Sequence, residues 1–112
     1  MPAVRDLFVT RLYEASLAEG DAGYSAFNDE LLEACISLSE DDEAGQAWCM
    51  EHAYKGYASY ASLDDLPARM PVFSDLQRLL DRHAAAFAKD LAFDLGPKGR
   101  LKLDSLWVNI LE

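Results

Sequence analysis

A mixed α+β domain, with helices packed on a small and mainly antiparallel sheet, is what this 112-residue sequence predicts. Three stretches carry that expectation. The closing run, residues 99–111, crowds Leu, Trp, Val and Ile into a segment too short for a helix, and Gly96, Pro97 and Gly99 punctuate its start. Residues 74–95 repeat apolar side chains at helical spacing. Residues 7–14 alternate as a strand does, with apolar residues in both alternating sets, which suits a sheet member.

Side chains alternate across a strand, so in the closing run Leu101, Leu103, Trp107 and Leu111 share one face with Ser105 and Asn109. The opposite face carries Lys102 and Asp104, then Leu106, Val108 and Ile110. The second half is apolar on both sides, the pattern of a strand covered on both faces. Asn109 is the polar exception, and a buried amide needs hydrogen-bond partners. The sequence stops one residue after this strand, at Glu112.

Upstream, residues 20–23 (Gly-Asp-Ala-Gly) read as a loop. A helix is expected over residues 25–38, where Phe27, Leu31, Cys35 and Leu38 recur at three and four beside Leu32 and Ile36. Ser39 with the acidic run behind it reads as the N-cap of a short helix carrying Ala44, Ala47 and Trp48. A calcium loop would need an alternating ligand order and a closing glutamate that this run lacks. Residues 54–60, with three tyrosines around Gly56, read as extended and partly buried. Residues 62–67 read as a single turn closed by Pro67, and residues 70–73 as a stiff connector.

The next helix is expected to open at Ser74, with Gln77 completing a capping box. Leu76, Leu79, Leu80, His83, Ala84, Phe87, Leu91 and Leu95 form its apolar stripe, and Gly96 and Pro97 are placed to end it. That stripe should cover one face of the sheet.

Residues 1–112 suffice for a single domain. A formal charge of −10 leaves no electrostatic basis for binding nucleic acid or an anionic membrane. No apolar run approaches a membrane span, and the first residues lack the apolar core of a signal peptide, so a cytoplasmic location is expected. Cys35 and Cys49 form no metal or redox motif, and Cys35 reads as a buried thiol.

Chemistry-bearing patterns are sparse. His52 and His83 belong to no ligand pair, and His83 falls on the helical stripe, as a hydrogen-bonded histidine at the core edge would. No nucleophile elbow, zinc-protease, phosphate-loop or dinucleotide fingerprint occurs. The pairs Asp41-Asp42 and Asp64-Asp65 sit in turn or cap contexts.

Three blocks carry a resemblance. They are Leu7-Phe8-Val9-Thr10-Arg11-Leu12-Tyr13, then Gly56-Tyr57-Ala58-Ser59-Tyr60 through Leu63-Asp64-Asp65-Leu66, and finally Leu103-Asp104-Ser105-Leu106-Trp107-Val108-Asn109-Ile110-Leu111. In order and rough spacing they resemble the N-terminal half of a bacterial family of 2-oxoglutarate-Fe(II) oxygenases. The resemblance implies a double-stranded β-helix, the cupin-like jelly roll, with helices on one side. It implies iron held by two histidines and a carboxylate, with open positions for 2-oxoglutarate and dioxygen. In the family the metal-binding segment follows the strand matching residues 106–111, so no iron ligand carries over to this chain. It is therefore expected to be inactive alone and to bind neither Fe(II) nor 2-oxoglutarate by itself.

Trp107 and Asn109 are the candidates for a cofactor-facing role, since they share one face of the strand leading into that segment. The competing expectation is a core-filling Trp107 and an Asn109 bonded to neighbouring backbone. The alternative function is a non-catalytic acidic α+β module for binding or dimerisation. In either case the 106–111 strand would be completed, by later sequence or by a second copy, because an open apolar edge invites pairing.

Overall fold

The computed structural model describes residues 2–17, 24–97 and 99–112. The chain forms α1 (Tyr24–Asp41), α2 (Glu43–Glu51), β1 (Gly56–Ala58), α3 (Leu66–Arg69), α4 (Pro71–Asp90) and β2 (Asn109–Leu111). The two strands pair antiparallel, with Gly56 opposite Leu111, Tyr57 opposite Ile110 and Ala58 opposite Asn109. The α+β expectation holds at this level. The predicted 20–23 loop lies outside the described residues.

Helix α1 follows from its periodicity. Phe27, Leu31, Ala34 and Leu38 return to one side, where Ala34 and Leu38 are buried, while Leu32 and Ile36 face outward. The helix runs past its predicted end at Leu38 through Ser39, Glu40 and Asp41. Ser39 is therefore not a cap. Its hydroxyl donates back to the Ile36 carbonyl at 2.6 Å, as a serine inside a helix does.

Asp42 alone separates α1 from α2. Its N–H still reaches the Leu38 carbonyl at 2.9 Å, and its side chain accepts from the Gly45 N–H at 3.0 Å as the N-cap of α2. The Gln46 amide then donates to the carbonyls of Ser39 and Glu40, two of the acceptors that the end of α1 leaves open.

The prolines open helices where the sequence reading had them close or stiffen a connection. Pro67 sits in the first turn of α3 and Pro71 in the first turn of α4, with extended Met70 between them. A first-turn proline gives up only an N–H that has no helical partner, and its fixed φ suits the helix. So α4 begins at Pro71, and Ser74 lies within it, its N–H donating to the Met70 carbonyl. The expected Ser74–Gln77 capping box is not formed.

Helix α4 also ends earlier than Gly96. Ala92 adopts φ +57°, its N–H donates to the Lys89 carbonyl, and the Phe93 N–H donates to the Ala88 carbonyl. Helix α2 ends in the same way, with Ala53 at φ +52° and bonds from Ala53 to Met50 and from Tyr54 to Cys49. Both are Schellman closures with alanine where glycine is strongly preferred. Replacing either alanine by glycine removes a left-handed strain of about 1–2 kcal/mol against a smaller gain in unfolded-chain entropy. A53G and A92G should each raise the thermal midpoint by a few degrees, and the pair should be additive because the two caps are independent.

The core gathers Ala34 and Leu38 of α1, Tyr57 of β1, Leu66 of α3, Val72 and Phe73 of α4, and Val108. Helix α4 packs mainly on α3 and α1, and the helix lying along β1 is α2. That corrects the expectation that the 74–95 stripe covers the sheet. Its middle instead receives the N-terminal segment. The Tyr13 hydroxyl meets His83 Nδ1 at 2.7 Å, and the Tyr13 ring lies 5.4 Å from that of Phe87. Arg11 donates to the Asp90 carbonyl at the end of α4 at 3.1 Å.

Residues 7–14 thus form no strand. Phe8 has φ +59° and is 100% exposed. Their alternation has no neighbouring strand to pair with, and of the segment only Tyr13 is half-buried, against α4. The closing strand shrinks for the same reason. β1 is only three residues long, so pairing covers Asn109–Leu111 rather than the full 99–111 run. Ahead of it, the Leu103 N–H donates to Asp81 Oδ1 at 2.8 Å and pins the incoming segment to α4.

Candidate functional site

Ser59 sets the geometry of the sheet end. It is 0% exposed, and its N–H donates to the Val108 carbonyl at 2.9 Å. The return bond, from the Val108 N–H, goes to the Ser59 hydroxyl at 2.9 Å. The Ser59 carbonyl is occupied elsewhere, accepting from the N–H groups of Ser62 and Leu63 as the chain turns. A side chain thus stands in for a backbone acceptor and lets β1 turn away while pairing continues. On the other side of β1, the Ala58 N–H donates to the buried Cys49 sulfur at 3.3 Å. Cys49 is a structural thiol.

These contacts fix which face of the closing strand is covered. Val108 is buried and Leu106 and Ile110 are half-buried against the core, whereas Trp107 is 43% and Leu111 78% exposed and Asn109 is also exposed. The expectation of a strand covered on both faces is corrected to one covered face. Trp107 is not core filler. Its ring makes an edge contact with Tyr60 at 5.0 Å on the open side. Asn109 needs no buried partner, and its side-chain amide makes no hydrogen bond to the described residues. The two candidates therefore stand together on an accessible face, backed by Tyr60.

Iron needs a convergent set of ligands, and the described residues do not supply one. His83 is engaged with Tyr13. His52 stacks on Trp48 at 4.3 Å, with Nδ1 2.8 Å from the Trp48 carbonyl oxygen. Among the described residues no group of three or more His, Cys, Asp and Glu side chains is placed to hold a metal ion. The described residues therefore do not by themselves form an iron site.

The organising polar group is Asp42, which sequence reasoning set aside as half of a cap-context pair. Besides capping α2, it accepts from the Tyr57 hydroxyl at 2.6 Å and the Ser62 hydroxyl at 2.5 Å. One carboxylate thus joins the α1–α2 junction, β1 and the following turn. Burial pushes its pKa up, but the hydrogen bonds from Ser62, Tyr57 and Gly45, with the nearby Arg69 charge, outweigh that and hold it below the usual range. Burial first, then the Asp42 hydrogen bond and charge, push the Tyr57 hydroxyl well above the ordinary tyrosine range. The clue was Gly45, where a Cβ would come within 2.2 Å of the Asp42 carboxylate. Cys35 is half-buried, and burial raises its pKa, which leaves it a thiol at neutral pH.

No helix of the described residues is long and apolar enough to cross a membrane. No protein-family model matches the chain, and no curated protein matches it significantly.

Proposed function

We propose that this chain supplies the supporting helices and opening strands of an Fe(II)- and 2-oxoglutarate-dependent dioxygenase of the jelly-roll type. The iron ligands belong to residues outside this chain, and the substrate is one that the completed fold would hydroxylate. The supporting observation is the closing strand. Its inner face is anchored through Val108, and its outer face offers Trp107 and an unbonded Asn109 amide. An amide so placed donates and accepts, and it suits a carboxylate-bearing cosubstrate. The resemblance carried by the three sequence blocks points the same way.

The test is calorimetry with 2-oxoglutarate and Fe(II) on a form extended past residue 112. N109A should weaken 2-oxoglutarate binding about tenfold, the worth of one hydrogen bond to a charged group. Its melting temperature should not change, because the side chain is exposed. Unchanged affinity would remove Asn109 from the site. Residues 1–112 alone should give no binding heat.

A second reading is favoured by the edges of the sheet. The sheet has two strands, so among the described residues nothing pairs with the far side of β2. A non-catalytic module that dimerises through residues 106–111 would use that edge. Light scattering on residues 1–112 separates the readings, since only the second requires a dimer.

A further inference from the structure

The chain carries ten basic side chains against twenty acidic ones, yet four of the ten line a single groove. Arg78 and Arg82 stand one turn apart on α4, and Arg100 and Lys102 face them from the segment that leads to β2. The groove encloses about 520 Å³, within the range of small-molecule sites. Asp81 lies in its wall, but one of its oxygens accepts from the Leu103 N–H, and that bond holds the cationic segment against the helix. Asp75 pairs with Arg78 beside the groove. Set against these two carboxylates, the four cations keep two positive charges uncompensated. In a molecule of net charge −10, such a concentration runs against the general field.

The groove continues into a second one of about 390 Å³ that shares Ala85, Arg100 and Leu101 with it. Here Ala88, Phe93 and Leu95 are among the lining residues. Lys89 stands at its margin, and Asp94 spends an oxygen on the Gly96 N–H. A dianion-sized excess of charge thus adjoins an apolar shelf that includes an exposed phenylalanine.

We propose that this double groove binds a phosphate monoester with an apolar or aromatic body. The phosphoryl group sits among Arg82, Arg100 and Lys102, and the body lies over Ala88 and Phe93. A monoester near neutral pH carries about two negative charges, which matches the excess, and guanidinium forks meet its oxygens two at a time. The site lies on α4 and is separate from the outer face of β2.

Phenyl phosphate is the probe, followed by amide chemical shifts on residues 1–112, with inorganic phosphate, phenol and glutarate as comparators. Saturable shifts should fall on residues 78–89 and 99–103, and the affinity should drop as salt rises. R82A should weaken binding about tenfold and R82K several-fold, because an ammonium keeps the charge but not the fork, with melting temperatures unchanged, since Arg82 is exposed. The absence of saturable shifts overturns the site. Inorganic phosphate or phenol binding as tightly as phenyl phosphate overturns the two-part ligand. Glutarate binding equally well overturns the phosphoryl assignment in favour of a dicarboxylate.

Discussion

Replacing Gly56 by alanine is expected to cost at least about 3 kcal/mol and to unpair the sheet. Gly56 has φ +101°, a backbone conformation that L side chains rarely adopt. An added Cβ would also lie 2.0 Å from the Ile110 carbonyl oxygen. That oxygen belongs to backbone in register with Tyr57, so it cannot swing aside like the end of a flexible side chain. Relief requires β2 to move away, which endangers the Ser59–Val108 bonds and the burial of Val108. Thermal melting should fall by more than about 10 °C. A shift of only a few degrees would contradict the pairing of Gly56 with Leu111.

Replacing Asp42 by alanine is expected to cost about 3 kcal/mol. The cap of α2 contributes about 1 kcal/mol of this, and the bonds from Tyr57 and Ser62 to a carboxylate supply the rest. Asparagine, which retains an acceptor oxygen and can still cap, should cost about half as much. The pH dependence separates charge from shape. The Asp42 pKa lies below its usual value of 3.8 in the folded chain, so its ionised form stabilises the fold. That contribution is complete above the unfolded pKa and is lost as pH falls from about 4 through the folded value. Urea titrations should show the difference between the native chain and D42N shrinking below pH 4. Tyr57 acts at the other extreme. Its folded pKa is raised, so its contribution is intact below the ordinary tyrosine value of 10.0 and is lost as pH climbs through the folded value.

Local regularities were legible in the sequence, and distant pairings were not. Phe27, Leu31 and Leu38 marked α1 because a helix returns one face every three to four residues whatever surrounds it. The α4 stripe was legible for the same reason. Its start was misplaced because Pro71 can open a helix as well as prevent one. Residues 7–14 and 99–108 look like strands, but whether they pair depends on a partner elsewhere in the chain. The extended reading of residues 54–60 held because Tyr57 and Ala58 do have such a partner in Ile110 and Asn109.

Of the candidate site, Trp107 and Asn109 were correctly given a common face, since alternation is local. Their exposure depends on which side the helices occupy, and the sequence pattern did not decide it. Asp42 was overlooked because two of its three donors, Tyr57 and Ser62, lie 15 and 20 residues away. The paired grooves were overlooked because Arg82 and Arg100 meet only when the chain after α4 folds back, a return secured by Asp81 and the Leu103 N–H.

The reciprocal bonds between Ser59 and Val108 join positions 49 residues apart. Between them the chain is largely helical, α3 and α4 each forming through bonds within their own turns, whereas the strand pairing has no local route to closure. Closing a loop of that length costs on the order of 3 kcal/mol of chain entropy before the first strand bond repays it. The helical layer is thus the part that folds quickly, and the hairpin-like seam waits on it. Asn109 and Trp107 are therefore brought to their shared open face only when that seam closes.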